Sequence, residues 1–200
     1  KRDSLPSRIA RAREIIDASP GKHWIIWHDL EDERRAIQEA IPGAVCIWGN
    51  QDIDDRERIV EAFADGELDN LGTKPVLSGS GSNFQHHCHS NIFLGIGYKF
   101  NDFIQAMHRT HRFGQTERVS CHLIYTESED PVHDELMRKW DEHNQLQATM
   151  SNLIREYGLC ADALSAEMRR SMIEKREEVT GDLFTAVNSD NVMETSRMAD

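Results

Sequence analysis

The chain has 200 residues, of which 38% are hydrophobic and 29% charged, and it carries a formal net charge of −12. That length suits one ordinary domain with an appendage and is enough to bury a core, while the low apolar share predicts long solvated helices. The acidic balance argues against coating nucleic acid by bulk electrostatics but leaves room for a local basic groove.

No apolar run approaches a membrane span and Lys1-Arg2-Asp3-Ser4 does not open a signal peptide, so no membrane partner and a cytoplasmic location are expected. Cys46, Cys88, Cys121 and Cys160 are widely spaced without a C-x-x-C pair, which fits a reducing compartment. The chain begins without methionine, so a piece of a longer protein is expected.

In chain order, residues 1–20 read as a basic helix ended by Pro20-Gly21, and Trp24–His28 as a short buried strand. A charged helix follows near 30–41 and stops at Pro42-Gly43. Val45–Trp48 is a second strand, and Asp54 to Ala64 a helix with acidic residues at its start. Pro75–Ser78 reads as a third strand running into Gly79-Ser80-Gly81, Ile92–Ile96 as a fourth and Val119–Tyr125 as a fifth. Strands alternating with helices over this span predict an α/β domain with a parallel sheet. After Pro131 the apolar spacing of Val132, Leu136, Trp140, Leu146, Met150, Leu153 and Tyr157 predicts one long helix broken at Gly158. A second, heavily charged helix is expected over 161–179, and 181–200 as a separate segment.

Three patterns carry less than they suggest. Gly72-Thr73-Lys74 lacks the upstream glycine of a phosphate loop. Asp141-Glu142-His143-Asn144 imitates an acidic helicase box but lies in a charged helix. His86-His87-Cys88-His89 cannot converge on one ion, because neighbours on a strand point to opposite faces; a polar turn is expected there and no metal site.

The most informative stretch is Gln105-Ala106-Met107-His108-Arg109-Thr110-His111-Arg112-Phe113-Gly114-Gln115. On a continuous helix Gln105, Arg109 and Arg112, at i, i+4 and i+7, share one face, opposite a largely apolar stripe of Phe100, Phe103, Ile104, Met107 and His111. Two guanidiniums aimed together suit a phosphate. Upstream, Gly79-Ser80-Gly81-Ser82-Asn83 follows a strand as a nucleotide-contacting loop would, its glycines admitting backbone N–H groups to a phosphate.

Taken together, these segments resemble the C-terminal RecA-like lobe of a superfamily 2 helicase of the SWI/SNF-type DNA translocases. Trp24-Ile25-Ile26-Trp27-His28 looks like motif IV, and Leu77 to Phe84 like motif V, typically G-x-G-x-N-L. Ile47-Trp48-Gly49-Asn50-Gln51 with Asp55 to Phe63 is similar to the element between them. Gln105 to Gln115 matches motif VI, Q-x-x-x-R-x-H-R-x-G-Q, at every defining position.

The resemblance covers roughly residues 22–130. It implies a RecA-like parallel sheet flanked by helices, preceded by a linker helix (1–21) and followed by a helical extension (131–180). It also implies a first RecA-like lobe on the same polypeptide that binds ATP and Mg2+. Arg112 with Arg109 would reach the γ-phosphate, Gln105 would orient their helix or contact nucleotide and motif V, and Gly79, Gly81 and Asn83 would contact nucleotide. His28, Ser78, Ser80 and Lys99 would contact DNA.

The sequence departs from the family at Ser80 and Ser82, where aliphatic residues are usual, and at Gly95-Ile96-Gly97-Tyr98, which replaces an aromatic-acidic stretch. Phe184 to Glu194, with Met198-Ala199-Asp200, also resembles the opening of DNA amino-methyltransferases, so 181–200 is expected to be a linker or the start of such a domain. The rival class is a degenerate, non-catalytic helicase-like interaction module that docks partners through its long helices. A nucleotide-sugar transferase lobe would lack the paired arginines.

Overall fold

The computed structural model describes residues 3–77, 83–97, 99–112 and 114–158, together with the backbone of 192–198. Its elements are α1 (Leu5–Asp17), β1 (His23–Trp27), α2 (Glu31–Ala40), β2 (Ala44–Cys46), α3 (Ile53–Ala64), β3 (Asn70–Thr73), β4 (Cys88–Phe93), α4 (Phe100–Thr110), β5 (Ser120–Thr126), α5 (Asp130–Tyr157) and β6 (Val192–Met198). The strands form one parallel sheet in the order β2-β3-β1-β4-β5-β6. The chain divides into two compact units, one of residues 1–136 and 190–200 and the other of 137–189.

Parallel strands are buried on both faces, and β1 shows it: Trp24, Ile25, Ile26 and Trp27 are all buried. Trp24 and Ile26 join Ile9, Ala12 and Ile15 of α1 and Ile37 of α2 in a cluster on one face. On the other face Trp27 stacks near Phe93 at 6.0 Å, and Phe93 lies 5.0 Å from Phe103 of α4. The first helix, expected as a linker, therefore supplies part of this unit's own core. Arg8 pins it there. Its side chain is fully buried and donates to Leu94 O at 3.0 Å, Ser4 Oγ at 2.9 Å and Glu129 Oε2 at 2.6 Å.

Two strands lie elsewhere than the residue pattern suggests. The third is Asn70–Thr73, not Pro75–Ser78; Pro75–Leu77 is a turn closed by Leu77 N–H donating to Lys74 O, and Val76 is exposed. Asn-Leu-Gly-Thr reads locally as a loop, but its glycine is a packing requirement. A Cβ on Gly72 would collide with Cys46 Sγ of the adjacent β2. The fourth strand is Cys88–Phe93, not Ile92–Ile96, so Cys88 and His89 belong to a strand and only Gln85–His87 to the turn. Its polar residues are satisfied inside the sheet: Cys88 Sγ donates to His23 O, and Ser90 and Ser120 pair their hydroxyls. Among the described residues no cluster of three or more His, Cys, Asp or Glu side chains could hold a metal ion.

The helix boundaries follow ordinary end chemistry. Asp52 caps α3 by accepting from the N–H groups of Asp54 and Asp55. The long helix α5 stops at Gly158, whose φ of +71° favours glycine, with its N–H bonded to Ile154 O. None of the described helices is long and apolar enough to cross a membrane. The expected helix over 161–179 lies outside the described residues. The backbone of β6 pairs in parallel along the whole of β5, so that part of 181–200 extends this sheet.

Candidate functional site

The arginine segment does not form one helix. Sequence periodicity places Gln105, Arg109 and Arg112 on a single helical face, but α4 ends at Thr110 and Arg112 sits in the turn that follows. The cause is a set of polar side chains beneath the helix end. Asn91, fully buried in the central strand β4, donates through Nδ2 to Thr110 Oγ1 at 2.8 Å and to Ser120 O at 3.3 Å. Thr110 Oγ1 in turn donates to Met107 O. Gln115 then closes the end: its Nε2 donates to Thr110 O at 3.1 Å and to Cys88 O at 3.3 Å. Its backbone N–H reaches Arg112 O at 3.0 Å, and Gly114 at φ +90° provides the left-handed residue that the turn requires.

That turn carries Arg112 to Asn83, whose Oδ1 accepts from Nη1 at 2.6 Å. Residues expected from two separate motifs are thus in direct contact. Arg109, half-buried at the end of α4, has a guanidinium pKa lowered by burial first and by the Arg112 charge second. The two cations therefore sense each other. Among the described residues neither Arg109 nor Arg112 forms an ion pair, although the chain carries 35 carboxylate residues. Two neighbouring guanidiniums with no ion-pair partner among the described residues have the chemistry to receive an oxyanion.

The other expected site residues fall differently. Gln105 is exposed on α4. Lys99 starts that helix and lies 3.9 Å from Asp102. Ser78, Gly79, Ser80 and Gly81 lie outside the described residues. His28, expected at a DNA-facing loop, is only 4% exposed and lies in the wall of a cavity at the end of β1. The turn that follows it is held by Glu33, whose Oε2 accepts from the N–H groups of Asp29 and Leu30.

Sequence reasoning did not find Asn91, Thr110 or the structural role of Gln115. The Gly114-Gln115 pair was the available signal, since glycine after an apolar-periodic stretch marks a helix end. Gln115→Ala is expected to cost about 1–3 kcal/mol by removing two partly buried hydrogen bonds, to Thr110 O and Cys88 O. It should also loosen the Arg112 turn. Urea unfolding reads the first effect, and backbone amide exchange at Gln115 the second.

Burial, with Lys74 next in weight, depresses the His28 pKa from 6.5 to about 4, against smaller opposing effects of the Leu30 backbone, Asp29 and Glu31. The unfolded chain binds this proton below 6.5 while the folded one refuses it until about 4, so stability falls as pH falls through that window. The full loss is roughly 3 kcal/mol. Denaturant unfolding between pH 7 and 4 should show it, and the slope should flatten in His28→Leu; an unchanged slope would rule His28 out as its source.

No family model and no curated protein matches the chain. Among solved structures it is similar to one described as the C-terminal part of the Fun30 ATPase domain, with a TM-score of 0.56 and 19% identity over 64% of this chain. The fold is RecA-like. The chain spans 44% of that structure's length, so the likeness concerns a portion of it.

Proposed function

We propose that the chain is the second motor lobe of an ATP-dependent DNA helicase or translocase. The observation that carries this reading is the Arg109–Arg112 pair, which no carboxylate among the described residues neutralises and which is tied through Arg112 to Asn83. A parallel RecA-like sheet supports it by placing that pair at the far end of α4, beside the start of β4.

In this reading ATP and Mg2+ are held mainly by a first RecA-like lobe. The fit on this side is chemical: two guanidiniums and an amide suit the terminal phosphate. Arg112, with Arg109 beside it, stabilises charge that develops on the transferred phosphoryl group. Asn83 holds Arg112 in reach when the lobes are apart, and Gln115 fixes the turn that carries it. Gln105, with Gly79 and Gly81, would complete the nucleotide contacts, and Ser78, Ser80 and Lys99 those to the DNA backbone.

A methyltransferase continuation does not enter this reading. The residues that suggested it lie mostly outside the described ones, and 192–198 extend this lobe's own sheet.

The test joins this chain to a first lobe carrying a phosphate loop and acidic box. The chain alone should show little or no ATP hydrolysis, and the joined protein should hydrolyse ATP with stimulation by DNA. A joined protein that binds ATP and DNA without hydrolysis would favour the interaction-module reading.

A further inference from the structure

Trp27 and the arginine turn belong to different elements, yet buried side chains join them. On the face of the sheet that α4 covers, Trp27 of β1 donates its indole N–H to Asn91 Oδ1 of β4 at 3.1 Å. Asn91 Nδ2 donates to Thr110 Oγ1 of α4 at 2.8 Å, and Thr110 Oγ1 donates to Met107 O at 3.3 Å. Three side chains from three elements thus form one line of donors, and all three are buried.

The direction of this line is set at its ends. An indole nitrogen only donates and a carbonyl oxygen only accepts. The indole of Trp27 therefore requires the oxygen of the Asn91 amide to face it. Ser120 O, which takes the other Nδ2 proton at 3.3 Å, requires the amide nitrogen on the opposite side. Reversing the amide would set donor against donor at Trp27 and acceptor against acceptor at Ser120, a costly arrangement for buried groups. With an N–H facing it, the Thr110 hydroxyl has to accept, and its own proton is left for Met107 O.

Thr110 is where this line meets the arginines. It directly follows Arg109 and precedes Arg112 by two residues. Met107 O receives both the Thr110 hydroxyl and the His111 N–H, the latter at 2.9 Å. Thr110 O is held by Gln115 Nε2. His111 then leaves the helix at φ −92° and ψ +89°. Fixed through both of its oxygens, Thr110 sets where the backbone departs toward Arg112, and the direction of its hydroxyl proton is decided in the first strand.

We propose that Trp27 is a positioning residue for the arginine pair, acting through Asn91 and Thr110. It touches no phosphate; it holds the end of α4 in the geometry from which Arg109 and Arg112 project. The role in hydrolysis rests on the reading of those arginines as the phosphate contacts.

Trp27→Phe keeps an aromatic ring in the core and removes the donor. Replacing Trp27 by benzothienylalanine exchanges only the indole N–H for sulfur, and gives the same test where Trp27→Phe does not fold. Thr110→Val keeps the shape and removes the hydroxyl, while Thr110→Ser retains it. In the two-lobe protein with saturating DNA, loss of either link should lower kcat about 10- to 100-fold, the scale for slight misplacement of a catalytic group. The KM for ATP should stay within about two-fold, because the first lobe holds the nucleotide. Thr110→Ser should recover most of the rate. Removing the Trp27 donor from Thr110→Val should slow it no further, since the line is already cut. A purely structural role for Trp27 would lower the unfolding midpoint and leave kcat of the folded protein unchanged.

The Arg109 and Arg112 Nε–H resonances of the chain give a readout independent of hydrolysis. They should shift and exchange faster with solvent when the Trp27 donor or the Thr110 hydroxyl is removed, and keep their positions in Thr110→Ser. If Arg112→Ala abolishes hydrolysis while loss of the Trp27 donor leaves kcat unchanged, the positioning role is overturned and the motor reading stands. If Arg112→Ala hydrolyses ATP normally, the motor reading falls. The resonances then decide alone, and their constancy without the Trp27 donor overturns the proposal.

Discussion

Replacing Arg112 with alanine in the two-lobe protein is expected to lower DNA-stimulated ATP hydrolysis by about 10³-fold or more, the usual scale for removing an arginine that contacts a transferred phosphoryl group. The side chain is exposed and its hydrogen bond goes to Asn83, so the unfolding midpoint should barely move. Arg112→Lys keeps the charge but loses the planar fork, and an intermediate rate is expected. Asn83→Ala should cost less, because it frees Arg112 without removing it. Steady-state hydrolysis with saturating DNA measures all three. A near-native rate in Arg112→Ala would end the assignment, whatever the fold.

Arg8→Ala is expected to destabilise the first unit by about 3–5 kcal/mol, the range for breaking a buried ion pair from one side. Arg8 is fully buried, and its removal strands Glu129, which is 12% exposed and also accepts from Thr126 N–H. It also leaves Leu94 O without its guanidinium partner. The effect is large because α1 carries Ile9, Ala12 and Ile15 into the core, so losing the clamp threatens that packing as well. A cycle of Arg8→Met, Glu129→Gln and the double variant, followed by urea unfolding, separates the pair from the packing. A single-variant cost below 1 kcal/mol would show that α1 holds without its clamp.

The buried thiols add a chemical corollary. Burial raises the pKa of Cys46 to about 11 and of Cys88 to about 12, and raises that of Cys121 further. Each sits in a strand of the sheet as a small buried packing group.

Much of the architecture was legible because parallel strands and amphipathic helices leave periodic marks. The apolar run at β1, the 3–4 spacing of α5 and the acidic start of α3 each report a local requirement of the element they form. The residue types of the arginine site were legible for the same reason: Gln105, Arg109 and Arg112 follow a spacing that can be read without coordinates.

What the residues could not show locally was where polar groups would be satisfied. Asn70–Thr73 and Cys88–Asn91 look like loops until neighbouring strands take up their polar atoms and Cys46 claims the space beside Gly72. Glu33 looks like one of several surface acids of a charged helix until it accepts from the N–H groups of Asp29 and Leu30 and is buried there. Arg112 looks helical until Asn91, Thr110 and Gln115, 24 residues apart along the chain, meet beneath it. The sequence by itself determined the α/β alternation and the presence of a paired-arginine motif, since both depend on short-range spacing. Only the tertiary structure decided the end of α4, the contact of Arg112 with Asn83 and the buried His28 cavity, because each depends on hydrogen bonds and packing between residues far apart in the chain.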